Sequence, residues 1–211
     1  MTYLFSGTVL VCAIIALWRK DIKAIIYSVA FHGVALGIVG FSEGLSRHDL
    51  ALVQAGIETF ILKGIVFPIL IFRIFNRSGG QRDVEPLINT TASMLYTSLF
   101  IGIPFFSIGR LPYIASSPQS KLVPIGFATL LVGFYILITR RRIISQIVGL
   151  IIFENGISLI AFLLISGLPL LVELGESLDV LLVVIVLRVL AITIQSRIGN
   201  VDLAEMKELH D

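Results

Sequence analysis

Residues 51–75 read ALVQAGIETFILKGIVFPILIFRIF, and residues 143–165 read IISQIVGLIIFENGISLIAFLLI. Each run is within the span of about 17–25 apolar residues that a helix needs to cross roughly 30 Å of hydrocarbon. Each also carries an ionisable side chain near its middle, Lys63 in the first and Glu154 in the second, and a third run, Leu171–Ile194, carries Asp179. A charge at the centre of a bilayer costs roughly 2.5–3.5 kcal/mol even on lenient insertion scales. A chain that does this three times points to side chains that hold or move charge inside the membrane.

The rest of the composition agrees with a membrane assignment. With 56% hydrophobic and only 14% charged residues, the chain departs from soluble domains, which are about 45–50% apolar and about a quarter charged. A net charge of +2 is too small for nucleic-acid binding, and the basic residues sit at segment ends rather than on one cationic face. The one cysteine, Cys12, excludes an intramolecular disulfide and a cysteine-ligated cluster. His32, His48 and His210 are too scattered for a metal-ligand set. The start of the chain lacks the basic residues of a cleavable signal peptide, so the first apolar segment is expected to remain in the mature protein.

Seven apolar runs are predicted to span: Thr2–Leu17, Ala24–Phe41, Ala51–Phe75, Leu87–Phe106, Leu122–Thr139, Ile143–Ile165 and Leu171–Ile194. None alternates as a barrel strand would, so the expected fold is all-α, a polytopic membrane protein of about seven transmembrane helices. The placement of Lys and Arg tests that count. Arg19, Lys20 and Lys23 follow the first run, Arg73, Arg77 and Arg82 the third, Arg140, Arg141 and Arg142 the fifth, and Arg197 and Lys207 the seventh. The opposite connections hold Arg47, Arg110 and Lys121. Positive charge collects on the cytoplasmic side, so the N-terminus is expected outside and the C-terminus in the cytoplasm. Loop-like stretches at Asn76–Pro86 and Ser107–Lys121 divide the chain into a three-helix part over 1–86, a connecting helix and outer loop over 87–121, and a second three-helix part over 122–211. A basic cluster precedes the middle helix of each triplet, a weak sign of an internal repeat.

The intramembrane residues carry the functional expectations. Glu154 has no basic neighbour on its own helix, and a buried carboxyl can exchange its proton near neutral pH where a wet path reaches it. Lys63 holds its charge in such surroundings only beside a carboxylate. Glu58 is the nearest in sequence but lies about 140° around the helix, so a partner on another helix or subunit is expected. Pro68 removes a backbone donor one turn on and is expected to bend the helix. Asp179 and Arg188 face opposite sides of one helix, at about 180°. Asp179 is the expected relay member, and Arg188 a fixed charge that tunes neighbours or ties the helix to a partner. His32 has a suitable intrinsic pKa for proton transfer but also suits a packing hydrogen bond. Glu173 and Glu176 are expected to be solvated at the outer end. No phosphate loop or nucleophile–base pair is present, and Gly149–Gly156 lacks the strand a phosphate loop requires.

The stretch from Arg140-Arg141-Arg142 through Gly149-Leu150 to Glu154-Asn155-Gly156 resembles the second helix of the small K-type subunit of respiratory complex I, and the tail Gly199–Met206 resembles the end of that subunit. Over most of its length the chain looks more like the hydrogenase-4 component E family, the K-like membrane subunits of group 4 [NiFe] hydrogenase and formate hydrogenlyase complexes. Leu62-Lys63-Gly64-Ile65-Val66-Phe67-Pro68, Phe153-Glu154-Asn155-Gly156, and Gly167–Glu173 running on to Leu178-Asp179-Val180-Leu181 carry that likeness. One departure is clear: aligned on Gly149-Leu150, the K-type glutamate position holds Ile151, and the acid comes three residues later at Glu154, nearly one helical turn on.

The resemblance implies a non-catalytic integral membrane subunit with no cofactor of its own, seated in a bacterial or archaeal cytoplasmic membrane. It implies antiporter-like membrane subunits and a peripheral NiFe/iron–sulfur arm as partners. Lys63, Glu154 and Asp179, with Glu58, Arg188 and His32 as further candidates, would then take part in proton or ion translocation coupled to electron transfer. Two other readings stay open: a subunit of a multisubunit cation/proton antiporter, and a membrane scaffold whose buried charges only bind neighbours.

Overall fold

The computed structural model describes residues 1–77, 90–108, 118–140 and 143–164, together with Leu181, Val184, Ile185, Arg188 and Ile192. The regular elements among these residues are all helical: α1 (Thr2–Trp18), α2 (Ile22–Arg47), α3 (Leu50–Ile61), a π-helical turn (Leu62–Val66) running into α4 (Phe67–Arg77), α5 (Thr90–Ser107), α6 (Val123–Thr139) after a short 3₁₀ turn, and α7 (Ile143–Leu164). Four continuous helices, Ile22–Arg47, Leu50–Asn76, Ser120–Thr139 and Ile144–Leu164, are long and apolar enough to cross a membrane, whereas Thr2–Trp18 and Ala92–Ser107 are shorter apolar helices. Of the expected seventh span only five residues are described, each helical, with Val184 buried. Asp179, Glu173, Glu176 and the tail 199–206 lie outside the described residues.

Local chemistry sets the helix ends. Asp21 precedes α2 and accepts the Lys23 N–H at 3.1 Å, and Asp49 precedes α3 and accepts those of Ala51 and Leu52 at 3.0 and 3.2 Å. Each carboxylate satisfies donors that the first turn of a helix cannot satisfy internally. His48, at φ 54°, closes α2 in the left-handed region, so α2 and α3 return antiparallel through a two-residue turn. The end of α2 differs from expectation here. α2 continues six residues past Phe41, and Arg47, expected in a connection, belongs to its last turn. The reason is an ion pair one turn back, Arg47 to Glu43 at 3.1 Å, which lets a polar stretch stay helical.

Glycine lets the helices touch backbone to backbone. A Cβ on Gly37 of α2 would come within 2.6 Å of Phe60, and one on Gly44 within 2.5 Å of the Val53 nitrogen. The α6–α7 pair is built likewise, with Gly149 facing the Leu137 backbone at 2.6 Å and Gly133 facing Phe153. Close approach of this kind is the usual source of helix association where lipid removes the hydrophobic drive. At one end of the bundle the Arg140 guanidinium donates to the Leu17 carbonyl, bringing the ends of α6 and α1 together. At the other, Arg47 donates to the Leu163 carbonyl at 3.0 Å and Tyr3 to that of Pro118 at 3.0 Å. α1 and α6 therefore run parallel, and α2 and α7 run against them.

Two apolar cores fill this frame. One, towards the Arg140 end, includes Ile25, Val29, Phe67, Ile71, Val132 and Ile152. The other includes Leu36, Val39, Ala55, Ile125, Leu159 and Phe162. On each of four helices there is a gap between the two sets: residues 30–34 on α2, 56–66 on α3 and its π-turn, 126–131 on α6, and 153–158 on α7. Those gaps hold the buried polar side chains His32, Thr59, Lys63, Thr129, Glu154, Asn155 and Ser158.

Candidate functional site

The level between the cores is occupied by His32 from α2, Thr59 and Lys63 from α3 and the π-turn, Thr129 from α6, and Asn155 and Ser158 from α7, all with no exposed surface, and by Glu154, 8% exposed. The Lys63 ammonium lies 3.0 Å from Glu154 Oε1 and donates to the Ser158 hydroxyl at 3.0 Å. Its partner is thus on another helix, as expected from the poor geometry of Glu58. Ser158 is one turn beyond Glu154 on α7, so both reach the same ammonium from one face.

Two features of the sequence place Lys63 there. Pro68 has no N–H to give the carbonyl four residues back, and its ring crowds that carbonyl. The helix widens just before it: over Leu62–Val66 the turn is π-helical, closed by Phe67 N–H to the Leu62 carbonyl. Such single wide turns commonly occur at functional positions. Gly33 completes the placement, because a Cβ at that position would collide with the Lys63 carbonyl group. α2 thereby seats directly on the backbone of the residue whose side chain crosses to α7.

A second polar pair borders the first. Asn155 Nδ2 lies 2.8 Å from His32 Nδ1, and His32 is within electrostatic range of Lys63. With the amide donating, His32 carries its proton on Nε2. Neither that Nε2 nor Asn155 Oδ1 has a hydrogen-bond partner among the described residues. The layer thus contains an amine, a carboxylate and an imidazole drawn from three helices.

Of the other sequence candidates, Asp179 lies outside the described residues, and Glu58 is half-buried and lines a shallow groove with Gln54, Ile57 and Ile61. Arg188 is helical and half-buried. The structure adds residues that sequence reading missed. Asn155 and Ser158 each lie on the same turns as Glu154, and this polar triplet on one apolar helix was a readable signal. Glu43, 1% exposed, accepts from Thr2 Oγ1 at 2.8 Å and pairs with Arg47. It escaped notice because the apolar run was ended at Phe41.

Fold and site together define an all-helical membrane protein with a buried lysine–glutamate pair between two apolar cores. The chain belongs to the family of the Mycobacterium tuberculosis (strain ATCC 25618 / H37Rv) protein called Uncharacterized protein Rv0085, to which it is 35% identical over 209 residues, 98% of this chain and 94% of that one. It is more distantly similar to Hydrogenase-4 component E of Escherichia coli (strain K12), 28% identical over 153 residues, 72% of this chain and 70% of that one. The same identity and coverage hold for Hydrogenase-4 component E of Shigella flexneri. No protein-family model and no solved structure matches the chain.

Proposed function

We propose that this protein is a non-catalytic membrane subunit of a complex I-related, group 4 hydrogenase-type redox complex. In this reading it spans a bacterial or archaeal cytoplasmic membrane seven times, N-terminus outside, and contributes buried charges to proton or ion translocation. Its partners are antiporter-like membrane subunits and a peripheral NiFe/iron–sulfur arm, which would hold all metal chemistry. The likeness to Hydrogenase-4 component E supports the setting. The single observation that carries the role is the 3.0 Å contact between Lys63 and Glu154, buried between the two apolar cores.

The physical logic is one of coupled titration. When two groups interact this strongly their protonation belongs to the pair, so a charge arriving beside one member changes what the other holds. The imidazole of His32, held by Asn155, adds a polar wall to the same buried layer, and His32, Asp179, Glu58 and Arg188 are proposed as flanking groups through which the pair senses adjoining subunits. The interaction of such charges grows as the local dielectric falls.

A structural reading has one specific observation in its favour: the pair, with Ser158, ties the π-turn to α7 and by itself holds two helices in register. The two readings part on Glu154→Gln, which keeps shape and hydrogen bonding but cannot ionise. Copurification in mild detergent, with mass spectrometry of the associated chains, comes first. A complex containing a [NiFe]-type large subunit and antiporter-like chains, in which Glu154→Gln preserves assembly and electron transfer but abolishes proton uptake into vesicles, fits the relay. Unchanged proton uptake in that variant sinks it in favour of the scaffold. Antiporter chains without a redox arm would move the protein to the cation/proton antiporters.

A further inference from the structure

α2 and the π-turn are in contact at Gly64, whose Cβ position faces Val34 at 2.9 Å, and from there towards the Arg140 end α2 and the π-turn with α4 leave an outward-facing groove of about 440 Å³. Its inner end is Gly64, the residue next to Lys63. Along its length Ala30, Ile65, Pro68 and Ile69 present small or aliphatic surface. At its outer end are the guanidinium of Arg73 and the phenol of Tyr27, both exposed. Lys23, also exposed, stands one turn before Tyr27 on the same face of α2. Among the described residues, no acidic side chain lines the groove.

We infer that this groove is a binding site for an anionic phospholipid, with one acyl chain lying against Ala30, Ile65, Pro68 and Ile69 and the phosphate held by Arg73 and Tyr27. The volume falls within the range of specific ligand sites, about 300–1,000 Å³. Polarity is distributed as a lipid is: an apolar trough some 13 Å long, from nine residues of helical rise between Gly64 and Arg73, with a permanent cation and a hydroxyl donor only at its end. A guanidinium pairs with phosphate oxygens through two parallel hydrogen bonds, and basic pockets between membrane helices at the cytoplasmic face recognise anionic headgroups. A partner helix is the competing occupant, but it would not by itself supply an anion to the guanidinium and hydroxyl at the trough's end. The seated chain would cover the backbone at Gly64 and keep lipid-side water from the buried Lys63. The site is argued independently of the redox assignment and stands or falls separately from it.

The test is native mass spectrometry of the full chain extracted in mild detergent and titrated with dioleoyl phosphatidylglycerol or dioleoyl phosphatidylcholine, which share acyl chains and differ in headgroup charge. One lipid molecule is expected to be retained, with at least a tenfold preference for phosphatidylglycerol. Arg73→Gln is expected to remove that preference, while Arg19→Gln, a basic residue of the same end outside the groove, leaves it intact. Ala30→Phe, which fills the trough, is expected to reduce retention of both lipids. If Ala30→Phe does not fold, as judged by its gel-filtration profile, Tyr27→Phe with Lys23→Gln replaces it, with a partial loss of preference expected. Equal retention of the two lipids, or an undiminished preference in Arg73→Gln, overturns the proposal. So does a photocrosslinker at Ile69 that joins another protein rather than lipid in intact membranes.

Discussion

Lys63 shows how much a single buried charge depends on its neighbours. With no surface exposed and an ammonium to satisfy, it is tolerated because Glu154 and Ser158 both meet it. Removing one member of a buried pair typically costs about 3–5 kcal/mol, because the other charge is stranded, whereas replacing both with apolar groups is often neutral. Lys63→Ala is therefore expected to lower stability by about that amount, and Lys63→Met combined with Glu154→Met to recover most of it, by thermal unfolding in detergent. Glu43 makes the opposite case at the far end of α2, where Thr2 and Arg47 hold it. Glu43→Ala is expected to release Arg47 from its ion pair and loosen the α1–α2 end, read as faster hydrogen exchange in residues 2–5 and 42–47. Lys63 and Glu154 were visible in the sequence because each interrupts an apolar run. Their pairing was not, since 91 residues separate them and only the packing of α7 beside the π-turn brings them together.

Among the elements, the π-turn before Pro68 and the glycines of α2 decide where the polar layer forms. A Cβ at position 33 meets the Lys63 carbonyl group, and neither backbone can yield without moving a helix. Overpacking of this kind costs typically about 1–3 kcal/mol, so Gly33→Leu is expected to reduce the melting temperature and to separate α2 from the π-turn. Pro68→Ala restores a backbone donor and permits a regular α-turn over Leu62–Val66. The inserted residue of a π-turn offsets everything beyond it by about 100° of helical phase. The energetic coupling between positions 63 and 154, measured by a double-mutant cycle, is accordingly expected to fall in the Pro68→Ala background. That Pro68 disturbs its helix was readable from the sequence. That the disturbance takes the form of a wide turn containing the lysine was not, because a π-turn has no composition of its own.

For the whole molecule, the bonds at the two ends of the bundle give α1 and α6 one direction and α2 and α7 the other. The turn at 19–21 and the turn at 48–49 lie at opposite ends of α2. Combined with the clustering of Lys and Arg after alternate helices, this predicts that a cysteine introduced at Lys20 reacts with an impermeant thiol reagent only from the cytoplasmic side, and one at Ser46 only from outside. Both positions are exposed, and replacing the buried Cys12 by alanine removes background labelling. Labelling of both from one side would invalidate the proposed orientation.

Composition and run length alone determined that this chain is helical and belongs in a membrane, because a backbone in hydrocarbon must satisfy its own hydrogen bonds. The sequence also marked Lys63 and Glu154, because an ionisable group in hydrocarbon is costly wherever it lies. Which charges meet was decided only by the tertiary structure. The contact distances depend on Gly33, Gly37 and Gly149 letting backbones touch, and on a π-turn setting the phase of Lys63. The same packing brought in His32, Asn155 and Ser158. Periodicity assigns each residue a face of its own helix, but the level at which that face meets another helix is fixed only when the helices pack.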